Sequence, residues 1–293
     1  MVKSKEKLIP YLFLLPALVI FLLLTVYPLA ETLRLSLFRY YYLTGRFRFV
    51  GIENYIKLLR SGLFRRAIWN TVEFSVIATF MQFLIGFLLA LIFNVEFRFR
   101  KFLLPLIVVP MITPPAAVSS VWKLMLDYRF GIINNFLDFI GLPRFNWLGD
   151  PNLAMLSIVI VDTWQYTPFV FLVLLAGLQS IPKELYEAAM IDGAGRVSLF
   201  KNITLPLLRP FIAIVILLRI IDTFKIFTKP ALITGGGPGD ATETLTFFFY
   251  KESFKFLKLG IGSAAAMLMT CLLYTSDAAD DGESVDLGGR RII

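Results

Sequence analysis

The chain is 293 residues long, 57% hydrophobic and only 17% charged, a balance too apolar for a water-soluble domain of ordinary composition. Its formal charge is +8, but the cations sit between apolar blocks, which argues for orientation in a membrane and against a nucleic-acid partner. With one cysteine, Cys271, and no histidine, it can form no intrachain disulfide, no Cys/His metal site and no histidine general base.

Lys3, Lys5 and Lys7 precede an apolar run over 8–29. That run exceeds the roughly 7 to 15 residues of a secretory core segment and predicts a retained first spanning helix. Crossing the bilayer takes about 20 apolar residues, and the runs at 68–95, 102–126, 153–178 and 205–227 supply them. A last run at 259–274 is shorter. Strict period-two alternation is missing, which disfavours a transmembrane barrel. The expected fold is therefore an all-α membrane protein, a polytopic transmembrane helix bundle of about six spans with the last one truncated.

Pro105, Pro110, Pro114 and Pro115 in the third run and Pro168 in the fourth predict kinks, tolerated where neighbouring helices satisfy the freed carbonyls. The fifth run carries Arg219, Asp222 and Lys225 at three-residue intervals, so that neighbours can pair along one helical face. Such charges face a bundle interior or pathway, or else snorkel at the interface. From Thr275 the composition turns acidic, with Asp277, Asp280, Asp281, Glu283 and Asp286. This stretch resembles translated sequencing-adapter read-through, so the expected organisation is a membrane domain over 1–274 and a non-native or disordered tail over 275–293.

Topology follows from basic residues beside the span ends, where Lys3, Lys5, Lys7, Arg98, Arg100 and Lys101 mark a cytoplasmic side that includes the N-terminus. The connection over 31–68 is as basic, with Arg34, Arg39, Arg46, Arg48, Lys57, Arg60, Arg65 and Arg66. It falls on the opposite side, so the charge rule is divided.

Between the fourth and fifth runs, Ser180 and Pro182 can start a short helix outside the membrane, Leu185, Ala188 and Ala189 give it a tight apolar face, and Gly193 can stop it in a left-handed conformation. The two alanines let another surface approach closely and Glu187 offers one charge for an ion pair. By periodicity alone an ordinary interfacial helix fits as well. The full pattern is Glu187-Ala188-Ala189, then Asp192-Gly193, then Ile203-x-Leu205-Pro206. It resembles the EAA signature of ABC importer permeases, and the resemblance extends from residue 8 to about 269, closest to the maltose-type and glycerol-phosphate-type sugar permeases. Asp162-Thr163-Trp164-Gln165, residues 219–227 and the run Gly235-Gly236-Gly237-Pro238-Gly239 contribute to it.

The resemblance implies a type I ABC importer permease fold and a cytoplasmic loop that couples to the ATPase through Glu187, Ala188, Ala189, Asp192, Gly193, Ile203, Leu205 and Pro206. It also implies partners: an ATP-binding cassette ATPase dimer, a second permease and an extracytoplasmic solute-binding protein. ATP is then used by those partner subunits, since this chain has no Walker sequence and its glycine run ends Gly239-Asp240 where a P-loop needs Gly-Lys-Ser/Thr. No cofactor or metal and no enzyme activity is expected in the chain itself. The rival reading is an ion-coupled secondary carrier or channel with Arg219, Asp222 and Lys225 as its path. Which sugar is carried does not follow from these residues.

Overall fold

The structure is a computed structural model and describes residues 9–41 and 45–271. The suspected tail over 275–293 and the end of the last apolar run lie outside the described residues.

In chain order the elements begin with α1 (Ile9–Phe21), a π turn (Leu22–Val26) and α2 (Tyr27–Ser36), followed by the strands β1 (Phe38–Tyr41) and β2 (Arg46–Phe49). Then come α3 (Glu53–Arg60), α4 (Gly62–Asn94), α5 (Arg100–Ile112), α6 (Pro115–Met125), α7 (Ile132–Phe139) and α8 (Pro151–Gln179). The remainder comprises α9 (Lys183–Ile191), α10 (Arg196–Leu199), a π turn (Phe200–Thr204), α11 (Leu205–Phe224), a π turn (Pro230–Thr234), α12 (Leu245–Tyr250), a π turn (Lys251–Lys255) and α13 (Leu259–Cys271).

Among the described residues four helices are long and apolar enough to cross a membrane: Leu14–Ser36, Gly62–Asn94, Pro151–Gln179 and Arg196–Phe224. The third expected span departs from expectation, because α5 and α6 are separate helices bent by 96°. Pro114 and Pro115 explain the break. Neither can donate to the helical ladder, and each pushes the residue before it out of the helical region, so Thr113 and Pro114 adopt ψ of 131° and 134°. The first span runs on to Ser36 and the fifth starts at Arg196, both beyond the apolar runs. In each case a π turn precedes a proline, Pro28 or Pro206, that cannot donate a backbone hydrogen bond.

The chain divides into two compact units, one formed by Arg65–Phe247 and the other by the described residues on either side of it. In the first, α8 is the central helix, with most of its side chains buried from Ala154 to Leu178. Asp150 caps it by accepting from the Asn152 N–H at 2.8 Å, Pro151 occupies its first turn, and Pro182 blocks continuation past Ser180. Its C-terminal half packs Val170, Phe171, Leu174 and Leu178 with Ala90, Phe93, Leu208 and Val215. Gly86 permits the approach of α4 to α8: a Cβ there would lie 2.8 Å from Val170 Cγ1 and 3.0 Å from the Phe171 nitrogen. Small residues serve helix packing in lipid in this way, since backbones can approach only where side chains are absent.

The second unit contains the first span, whose residues 14–30 are exposed, and one short two-stranded hairpin within the otherwise α-helical fold. β1 and β2 pair antiparallel with Phe38 opposite Phe49 and Tyr40 opposite Phe47. The alternation Arg46-Phe47-Arg48-Phe49 is the sequence signal for it. Asn54, 1% exposed, ties this unit together by donating to the carbonyls of Ser36 at 2.7 Å and Phe38 at 3.0 Å.

Candidate functional site

Two sites lie within the Arg65–Phe247 unit. The first is the loop between the fourth and fifth spans. Its helix α9 begins after Pro182, which holds the N-cap position, whereas Ser180 caps the end of α8 instead, its hydroxyl donating to the Gly177 carbonyl at 2.8 Å. At the other end Asp192 is the C-cap and Gly193 follows with φ of +84°. The Ala194 N–H donates to the Ala189 carbonyl at 2.9 Å and the Gly193 N–H to the Met190 carbonyl at 3.0 Å. Those two bonds make a Schellman motif, which needs a left-handed residue and so favours glycine at 193.

Glu187, Ala188, Asp192 and Gly193 are exposed and Ala189 half-buried, while Leu185, Met190 and Ile191 are exposed to 43, 54 and 86%. An isolated nine-residue helix is marginal in water. Here both ends are terminated and Tyr186 anchors it, its hydroxyl 3.0 Å from that of Thr204. Ile203, Leu205 and Pro206 are half-buried in the π turn and first turn that follow, where the Leu205 N–H reaches the Phe200 carbonyl.

The second site is a buried charge cluster. Arg219 on α11 is 2% exposed and points at Asp162 on α8, with Nη2 3.0 Å from Oδ2. Its Nε donates to Gln82 Oε1 at 2.7 Å, and Gln82 Nε2 donates to Asp162 Oδ2 at 2.8 Å. Lys229 takes the other oxygen, with Nζ 2.7 Å from Asp162 Oδ1. The Tyr166 ring, one turn along α8 from Asp162, faces both cations, at 4.5 Å from Arg219 Cζ and 4.6 Å from Lys229 Nζ. Asp222 reaches Arg219 at 3.4 Å but its side chain is 61% exposed. It opens onto a polar pocket of about 210 Å³ lined also by Asp162, Tyr166, Arg219, Lys225 and Lys229.

Of the three charges expected to pair along one helical face, only Arg219 is interior. Lys225 sits at the C-cap of α11, exposed, and makes no ion pair among the described residues. The helix ends at Phe224, so the three-residue interval no longer carries Lys225 onto the face of Asp222. Gln82, Tyr166 and Lys229 were missed as members. The signal lay in Asp162, an ionisable residue inside an apolar run, which demands a cationic partner from another segment.

The glycine run is a fastened turn. Gly235, Gly236 and Gly239 have positive φ, and Asn70 on α4 donates to the carbonyls of Asp240 at 2.9 Å and Glu243 at 3.0 Å. No group of three or more potential metal ligands occurs among the described residues.

Residues 82–281 match the family model described as binding-protein-dependent transport system inner membrane component. The chain belongs to that family. It is therefore a transport permease of an inner membrane, and its relatives agree along nearly their whole length. It is 38% identical to the trehalose/maltose transport system permease protein MalF of Thermococcus litoralis over 92% of either chain. It is 35% identical to the sulfoquinovosyl glycerol transport system permease protein SmoG of Agrobacterium fabrum, over 91% of this chain and 87% of that one. The sn-glycerol-3-phosphate transport system permease protein UgpA of Salmonella choleraesuis is 31% identical over 92% and 91%. Among solved structures, a chain of a bacterial alginate ABC transporter in complex with an alginate-bound periplasmic protein superposes with a TM-score of 0.84 at 24% identity, covering 99% of this chain and 98% of that one. That likeness establishes the ABC importer permease fold.

Proposed function

We propose that this permease is the membrane-spanning subunit of an ATP-driven importer for a sugar or oligosaccharide, acting with an ATP-binding cassette dimer, a second permease and an extracytoplasmic solute-binding protein. Its N-terminus and the 180–206 loop face the cytoplasm, and α9 seats against an ATPase subunit. The supporting observation is the exposure of Met190 and Ile191 on a helix terminated at both ends. Apolar side chains held outward on a rigid, alanine-faced helix suit a protein cleft, and Glu187 supplies a charge for its rim.

Past the turn at 192–195 the same loop enters the helical stretch Arg196–Phe224, which carries Arg219 and Asp222 near its end. Closure of the ATPases would displace α9, and α11 would carry that displacement as a rigid element toward the polar pocket. Arg219 and Asp222 line the translocation pathway there, with Lys225 at its margin. A carbohydrate substrate fits the relatives named for trehalose and maltose, sulfoquinovosyl glycerol and arabinooligosaccharides. The pocket also combines an aromatic ring with several hydrogen-bonding groups, the mixture that orients a polyol.

The test is uptake of labelled maltose and trehalose by proteoliposomes holding the chain with its partner subunits. Uptake that needs both ATP and the binding protein supports the reading. Uptake driven by an ion gradient without ATP would sink it in favour of a secondary carrier.

A further inference from the structure

The connector between the first two spans carries its apolar side chains on the outside. Ile52, Ile56 and Leu59 are 65, 40 and 59% exposed, and intervals of four and three residues place them on one face of α3. The opposite face buries Asn54 and Leu58 to within 1%. A helix resting on its own protein turns its apolar stripe inward, whereas the stripe of α3 is left uncovered by the described residues. The hairpin before it is similarly two-sided. Phe38, Tyr40, Phe47 and Phe49 share one face, with ring centroids 5.3 Å apart for Phe38–Phe49 and 4.7 Å for Tyr40–Phe47. Phe47 and Phe49 remain 46 and 65% exposed.

The charge is as uneven. Glu53 is taken up by Arg39 at 2.6 Å and Lys57 at 2.8 Å, and hydrogen bonds from Lys57 and then Arg39 hold its carboxyl below the ordinary range. Arg46 and Arg48, exposed on the face opposite the aromatic rings, make no ion pair among the described residues. The connector is bracketed by Ser36, where one span ends, and Gly62, where the next begins, so it is tethered at both ends to the membrane surface. Aromatic rings, outward aliphatics and unpaired arginines at that depth are the composition of an interfacial anchor.

We propose that this connector binds anionic phospholipid, with Phe49, Ile52, Ile56 and Leu59 entering the acyl boundary and Arg46 and Arg48 holding headgroup phosphates. The basic connector then divides the charge rule for a physical reason: its arginines are retained by headgroups and do not report which side is cytoplasmic. The inference rests on the membrane fold and not on the transported solute.

The full chain, assembled with its partner subunits, would be placed in vesicles of equal parts phosphatidylcholine and phosphatidylglycerol. A nitroxide is attached at Ile56→Cys, Leu59→Cys or, as control, Lys57→Cys, each in a Cys271→Ser background. Oxygen should relax the label several-fold more than a water-soluble nickel chelate at 56 and 59, with the reverse at 57. In the Arg46→Gln/Arg48→Gln variant, association of spin-labelled phosphatidylglycerol should fall about fivefold per lost cation, with phosphatidylcholine unaffected. Nickel dominance at 56 and 59 would overturn the anchor. Protection from both probes there would show that a protein surface covers the stripe instead, and unchanged phosphatidylglycerol association would refute the headgroup site.

Discussion

Asp162 and Arg219 come from α8 and α11, 57 residues apart, and meet at 3.0 Å with only 3% and 2% of their side chains exposed. Lys229 on the second carboxylate oxygen makes the arrangement a triad in which one anion holds two cations. Removing the anion leaves Lys229 buried without a counter-charge and Arg219 with only the exposed Asp222 at 3.4 Å, whereas removing the whole set is nearly neutral.

Asp162→Asn should therefore lower the stability of the solubilised chain by about 3 to 5 kcal/mol, read as a large drop in the thermal unfolding midpoint. Adding Lys229→Met to that variant should recover part of the loss, because one uncompensated cation is gone. Additive effects in this double-mutant cycle would show that the two residues are not coupled.

Gly193→Ala places a side chain at φ of +84°, which costs about 1 to 2 kcal/mol for an ordinary residue, and should fray the end of α9 while leaving the spans folded. Gly193→Pro should be more severe, because it also removes the N–H that bonds the Met190 carbonyl. Under the proposed coupling role, solute uptake and binding-protein-stimulated ATP hydrolysis fall together. Survival of both in Gly193→Pro would remove α9 from the coupling pathway.

Gln165 repairs the break between α5 and α6. Fully buried, it donates from Nε2 to the carbonyl of Thr113 at 2.9 Å, a group the two prolines have taken out of the helical ladder. Gln165→Leu keeps the bulk and deletes the donor, which leaves that carbonyl unsatisfied at a cost of about 1 to 3 kcal/mol, offset in part because the amide oxygen it also removes is buried without a partner. A thermal midpoint equal to that of the parent protein would mean that water replaces the bond.

Gly86→Ala should destabilise by about 1 to 3 kcal/mol through overpacking of α4 on α8. A second change, Val170→Ala, should rescue little of it, since Val170 Cβ itself lies 2.9 Å from the new methyl position and the Phe171 nitrogen 3.0 Å away. Thermal unfolding of the single and double variants measures both expectations, and full rescue would mean that the helices separate easily.

The apolar runs, the break-prone prolines and the Glu187 to Pro206 pattern were legible in the order of residues, because each depends on chemistry local to a few turns of chain. Hydrocarbon demands about 20 apolar residues per helix wherever the rest of the protein sits, and α9 ends through bonds from the Gly193 and Ala194 N–H groups to carbonyls three and five positions back. The pairing of charges was different in kind. Spacing alone put Lys225 beside Asp222, whereas the end of α11 at Phe224 releases Lys225 to solvent, and it is Lys229 that reaches Asp162. A buried ion pair joins whichever segments the packing of helices brings together, so the association of Gln82, Asp162, Arg219 and Lys229 emerged only from the folded bundle.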